Sequence, residues 1–185
     1  VITLRKGSPV VEVETTVDNT ARDHFLRIGF DTGIAAKTTA AGALFDVNVY
    51  STEVKRDGKW IGPQLPRHQQ HMFMDISDGK KGLAILNDSL RDYEVLDAKK
   101  GIIAQSFMRG VKLEIPVDHR LWHQYPGDDS AQSLMSYTTR YGLMVHTGDW
   151  TKAGVYQAAV RFSTPLRVAQ IGKQIAQPER RVHVA

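Results

Sequence analysis

The sequence predicts a mainly β protein: an antiparallel β-sandwich with one α-helix near residues 150–163. Three observations carry that expectation. Apolar and polar residues alternate with period 2 through the first three-quarters of the chain, turn chemistry separates the alternating runs, and one late segment changes to a helical period. The 185 residues, 42% hydrophobic and 24% charged, suffice for a packed core.

The first run puts Val11, Val13, Thr15 and Val17 on one side and Glu12, Glu14 and Thr16 on the other, as in a half-buried antiparallel strand. Asp18-Asn19 closes it, and Leu26, Ile28 and Phe30 alternate in a second strand. Phe45, Val47 and Val49 mark a third. From Lys55 to Pro66 the chain holds two glycines and two prolines and reads as a loop.

A hairpin follows. Met72, Met74 and Ile76 alternate up to Ser77, and Asp78-Gly79-Lys80-Lys81-Gly82 supplies a turn whose glycines accept positive φ. The apolar run Leu83-Ala84-Ile85-Leu86 is that of a strand covered on both faces. Further strands are expected at 93–96, 102–108 and 135–146, giving about eight in all, which makes a sandwich.

Beyond Trp150, the apolar residues Val155, Ala158, Ala159 and Phe162 share one helical face, with Asp149 as N-cap and Pro165 as stop. Residues 1–173 are expected to form the sandwich, and the polar stretch 174–185 a loosely ordered tail.

Composition removes several classes of function. Without cysteine there is no disulfide framework, thiol nucleophile or thiolate metal site. The 24 basic residues exceed the 20 acidic ones by only 4 and are scattered apart from Arg180-Arg181, so no nucleic-acid partner is expected. No apolar run approaches the roughly 20 residues of a membrane-spanning helix, and no membrane partner is expected. Val1-Ile2-Thr3-Leu4-Arg5-Lys6 lacks the basic-then-apolar order of a signal peptide, and the resulting expectation is a cytoplasmic location.

Candidate chemistry is sparse. His68 and His71 stand three apart where a strand begins, a spacing that turns them to opposite faces. His119 and His123 lie between Pro116 and Pro126 in an expected loop, so no metal site is expected from either pair. Asp78 and Asp88 have turn roles, while Asp75 sits mid-strand among apolar neighbours, where a structural role outweighs a catalytic one. Nucleophile elbows, phosphate loops and dinucleotide fingerprints are missing. Trp60, Trp122 and Tyr125 could form a sugar-stacking platform, which would make the chain a free-standing carbohydrate-binding module. Such aromatics also serve as lids over a core edge.

Three stretches in fixed order resemble a known family. They are Glu12 to Asn19 followed by Asp23-His24-Phe25-Leu26-Arg27-Ile28; Phe73-Met74-Asp75-Ile76-Ser77-Asp78-Gly79 with Gly82 to Asp88; and Tyr137 to Trp150, ending His146-Thr147-Gly148-Asp149-Trp150. Together with Phe162-Ser163-Thr164-Pro165-Leu166 they resemble the C-terminal β domain of glycoside hydrolase family 38, the α-mannosidases. Val145 departs from the pattern, since many relatives carry proline there.

The resemblance implies part of a galactose-mutarotase-like supersandwich, with the family's first strands expected before Val1 and its closing hairpin after Ala185. It implies no catalytic residue in this chain and no cofactor of its own. The nucleophile, the acid/base carboxylate and the zinc ion would belong to the parent's catalytic barrel and helical domains, which become the expected partners. α-Mannosides or related sugars become the expected substrate of the parent, and homo-oligomerisation a further expectation. The parent's reaction would be double displacement, with two carboxylates about 5 Å apart. The residues expected to face substrate are Arg67, His68 and His71, just before the hairpin, and Trp122.

Overall fold

The computed structural model describes residues 1–53, 66–111, 114–118, 121–124, 129–164 and 166–169. The first half holds β1 (Ile2–Leu4), β2 (Val11–Asp18), β3 (Phe25–Asp31), β4 (Thr38–Ala43), β5 (Asp46–Ser51) and β6 (Arg67–Gln69). The second holds β7 (Phe73–Ser77), β8 (Lys81–Asn87), β9 (Asp92–Asp97), β10 (Ile102–Arg109), β11 (Glu114–Asp118), β12 (Leu121–Gln124), β13 (Ser136–Thr147) and the helix α1 (Val155–Ser163). Seven strands form one antiparallel sheet in the order β1-β2-β13-β8-β7-β4-β5, and four form a second in the order β3-β10-β9-β6. The β11–β12 hairpin makes a separate two-stranded sheet. This is the expected sandwich.

Two apolar clusters hold it together, and the larger sheet lies between them. Met74, Ile76 and Ile85 of its inner face meet Tyr93, Val95 and Ile103 of the smaller sheet. The outer face presents Phe73, Ala84, Leu86 and Met144 to Val155, Ala159 and Phe162 of α1. The continuous apolar run at 83–86 follows, because successive side chains of β8 enter the two clusters in turn. Full burial of each large side chain is worth about 1.5–3 kcal/mol, so both clusters contribute materially.

The β7–β8 hairpin forms as its sequence requires. Asp78 Oδ1 accepts hydrogen bonds from the backbone N–H of Lys80 and Lys81, both at 2.9 Å, and Gly79 sits at φ +84°. Those two amides hold the Asp78 carboxyl below its ordinary range.

Four local expectations need correction. Phe45 is not in a strand but at the β4–β5 tip, fully exposed with φ +68°. Met72 precedes β7 at φ +67°, where the chain bends after an isolated His71–Phe73 bridge. Pro116 and His123 lie on paired strands, β11 and β12, and not in a loop. The helix starts at Val155 after Gly154 at φ +67°; Asp149 caps the preceding turn instead, accepting from the N–H groups of Thr151 and Lys152. Trp60, Tyr125, His119, Pro165 and the tail 174–185 lie outside the described residues.

Candidate functional site

Arg67 and His68 are neighbours on β6, so their side chains leave opposite faces of the strand. His68 turns inward. Its ring stacks on Tyr50 at 4.0 Å and 11° and lies 5.7 Å from Tyr93, and burial lowers its pKa. Tyr93 is itself fully buried, its hydroxyl paired with Thr39 Oγ1 at 2.7 Å.

Arg67 turns the other way, into a basic cluster around Phe25. The guanidinium carbons of Arg67, Arg27 and Arg109 lie 4.8, 5.0 and 6.0 Å from the Phe25 ring centroid. Glu94 Oε2 accepts from Arg27 at 2.9 Å and from Arg67 at 3.1 Å, so one carboxylate is shared between two of the three guanidinium groups. Arg109 has no ion-pair partner among the described residues. Asp23, His24, Phe25, Arg67 and Arg109 line a cavity of about 380 Å³. Part of the first family-like stretch, Asp23 to Phe25, therefore forms one wall of it.

One further cavity shares walls with this one, and two more follow from it in turn. A cavity of about 190 Å³ also uses Phe25, Arg67 and Arg109 and extends to Arg91 and Asp92. Arg91 and Asp92 border a third, of about 500 Å³, which His71 also lines. His71 and Arg91 border a fourth, of about 230 Å³, with Asn87 and Asp88. The structure thus joins Arg67 and His71 through a polar groove with Arg91 at its junctions. His68 packs behind that groove and does not line these cavities. The backbone of Trp122 lies opposite Pro116 in the separate β11–β12 hairpin.

Several buried polar atoms along the groove have no hydrogen-bond partner among the described residues: His24 Nδ1, Arg67 Nε, Gln70 Oε1, His71 Nδ1 and Asn87 Nδ2. Such atoms are where a ligand or a docked domain recovers hydrogen bonds. Gln70, Asn87 and Arg91 were not singled out from sequence. Gln70 and Asn87 are buried and Arg91 is exposed, and they meet along the groove from the β6–β7 and β8–β9 segments, which leave no periodic signal.

The second and third family-like stretches meet on the outer face of the larger sheet. His146 Nε2 lies 2.6 Å from Asp75 Oδ1, with both side chains buried. Desolvation raises the Asp75 pKa and Asp149 adds to that, while His146 and the Ser77 hydroxyl oppose it. Asp75 is therefore a buried partner of His146 and lines none of the cavities above.

The zinc that the resemblance implies for a parent protein finds no ligand set here. No three His, Cys, Asp or Glu side chains converge among the described residues. No helix among them is long and apolar enough to cross a membrane.

Comparison with known proteins agrees with the motif order. The sequence profile of the glycosyl hydrolases family 38 C-terminal domain matches residues 1–116. A putative mannosylglycerate hydrolase of Halalkalibacterium halodurans is 28% identical over 162 residues, covering 85% of this chain and 16% of that protein. Alpha-mannosidase 2C1 of Homo sapiens is 25% identical over 165 residues, covering 89% of this chain and 14% of that protein. The crystal structure of an alpha-mannosidase from Enterococcus faecalis V583 superposes with a TM-score of 0.75 at 31% identity, over 89% of this chain and 17% of that one. A second family 38 protein from Enterococcus faecalis gives 0.71 at 29% identity, over 89% of this chain and 18% of that one. The chain therefore spans less than a fifth of the length of these relatives.

Proposed function

Since the chain belongs to the C-terminal domain family of the family 38 glycosyl hydrolases, we propose that it is the non-catalytic β domain of an α-mannosidase-like retaining hydrolase. In this reading it packs on the catalytic part and walls one side of the substrate cleft with the groove that carries Arg67, His71, Arg91 and Arg109.

One observation carries the non-catalytic half of the reading. Retaining hydrolysis takes two carboxyl groups about 5 Å apart at one cleft. Among the described residues, each of the four cavities is lined by a single carboxylate: Asp23, Asp92, Asp92 again and Asp88. Asp88 is moreover held by Arg140 at 3.5 Å. The groove supports the other half. It offers cations, ring nitrogens and amides, which suit binding and orientation of oxygen-rich groups more than bond cleavage.

The test of packing is co-expression of this chain with the catalytic portion of a polypeptide that carries it. The expected result is co-elution as one particle on size exclusion, disrupted by charge reversal at Arg67 and Arg109 together. Independent elution of two folded parts would refute docking. The β11–β12 hairpin gives the carbohydrate-module alternative no comparable support, since its described backbone pairs with neither sheet.

A further inference from the structure

The cavity of about 500 Å³ lies between the end of β4, residues Asn48 and Tyr50 of β5, the Gln69 to His71 segment, and Arg91 with Asp92. Its volume falls within the roughly 300–1,000 Å³ of small-molecule sites. The walls come close together for a definite reason. A Cβ at Gly42 would lie 2.0 Å from the His71 carbonyl oxygen, so only glycine lets β4 approach that segment.

Gln70 is the central feature. It is 4% exposed, and the surrounding hydrogen bonds fix its amide orientation. Gln105 Nε2 donates to the Asp92 carbonyl at 2.6 Å, so Gln105 Oε1 faces Gln70 and accepts from Gln70 Nε2 at 2.6 Å. That leaves Gln70 Oε1 as a buried acceptor without a donor among the described residues. An unmet acceptor of this kind is costly, and a ligand that supplies O–H removes the cost.

Its neighbours extend the demand. His71 Nδ1 is buried without a partner among the described residues. Arg91 is exposed and has no ion-pair partner among the described residues. Asn48 Nδ2 donates to the Tyr50 hydroxyl at 3.0 Å, so that hydroxyl can donate onward. The set needs a partner that both donates and accepts at closely spaced points. A sugar hydroxyl does both. A strongly anionic group suits the cavity less well, because Asp92 lines it and the Gln70 acceptor would face the anion.

We propose that this cavity is a carbohydrate subsite in which Gln70 Oε1 accepts a hydrogen bond from a hydroxyl of a neutral glycosyl unit while Arg91 and His71 hold adjacent oxygens. The proposal rests on the reading of the chain as a family 38 hydrolase β domain, and it names which part of that domain meets sugar. The subsite holds a unit away from the bond being cleaved, because the described residues bring one carboxylate to the cavity and not two.

The experiment is an NMR titration of the 15N-labelled 185-residue chain with methyl α-D-mannopyranoside, with sodium sulfate as the anion probe in parallel. The expected result is saturable shifts of the Gln70 side-chain amide and of His71 and Arg91 with the sugar, about tenfold weaker binding in Arg91→Ala, and loss in Gln70→Leu. Arg91 is exposed, so its variant decides the matter if Gln70→Leu does not fold. Three outcomes overturn the proposal: a dispersed, folded spectrum that sugar leaves unmoved, saturable shifts with sulfate alone, or sugar shifts confined to residues outside this cavity. None of these touches the proposed packing on the catalytic part, which stands or falls on the co-elution test.

Discussion

His146 reaches Asp75 diagonally across Gly82. Its Nε2 lies 2.6 Å from the carboxylate, over a residue with no side chain to block the path. The register explains the geometry: Asp75 stands opposite Ala84, while both Ser77 and His146 stand opposite Gly82. All five positions share the outer face of the larger sheet. The pair ties β7 to β13 over the intervening β8, and it joins two family-like stretches 71 residues apart.

Gly82→Ala tests that arrangement. The added Cβ would lie 2.2 Å from His146 Cε1 and 2.9 Å from Ser77 Cβ, so the ring must leave Asp75. The expected cost is about 3 kcal/mol, overpacking plus a buried carboxyl without its partner. In a His146→Ala background the same change should cost at least about 1 kcal/mol less. Urea denaturation of the four proteins measures this coupling, and additive effects would contradict the account.

Asp75 also gives a pH signature of unusual sign. Its folded pKa is raised above 3.8, chiefly by burial, so the folded chain binds more protons than the unfolded chain between 3.8 and the raised value. Its contribution to stability is then fully present below 3.8 and is lost as pH rises through the folded pKa. The stability of the native chain minus that of Asp75→Asn should fall with rising pH across this window. Denaturation midpoints at pH values on either side supply the check. A difference that rises with pH would mean the carboxylate is stabilised in its charged form.

Thr39 and Tyr93 form an isolated buried hydroxyl pair, 2.7 Å apart, with Thr39 1% exposed and Tyr93 fully buried. Burial, the largest influence, raises the tyrosine pKa. Thr39→Val should cost about 1–3 kcal/mol because the tyrosine hydroxyl is left without its partner. Adding Tyr93→Phe should recover about 1 kcal/mol or more of that loss. Thermal or urea denaturation decides. A double variant weaker than the sum of the singles would contradict the pairing.

Arg109 probes the groove without breaking an ion pair. Arg109→Ala should leave stability within about 0.5 kcal/mol. In an assembled hydrolase carrying this domain it should raise KM for an α-mannoside several-fold with kcat little changed, as expected for uniform binding. Steady-state kinetics supply the check, and unchanged KM would place the groove away from substrate.

Much of the sandwich is legible because alternation survives where one face of a strand meets solvent, and a continuous apolar run marks a strand such as β8 whose two faces enter different clusters. β2, β3, the β7–β8 hairpin, β9, β10 and β13 all carry one of those signals. β4 does not. Its sequence, Thr38 to Ala43, is small residues throughout, four of them buried, since the strand is crowded by His71 and Phe73. Size was selected there by close approach, and no apolar period remains to be read. Pro116 hid β11 in the same way, by mimicking a loop.

The candidate site divides along similar lines. Arg67 and His71 were reached through the family resemblance and do line the groove. Gln70, Asn87 and Arg91 come together only in three dimensions, and no spacing announces them. The Asp75–His146 pair was half legible: mid-strand Asp75 stood out, but its partner is named only by the register of two strands on either side of β8.

The most direct test of the central claim, that this domain binds and positions while the chemistry lies elsewhere, is hydrolysis by the chain alone. The folded 185-residue protein, checked by near-ultraviolet circular dichroism, is incubated with 4-nitrophenyl α-D-mannopyranoside. The account predicts nitrophenol release equal to the protein-free blank. Turnover that co-purifies with the chain and disappears in Asp75→Asn would contradict it.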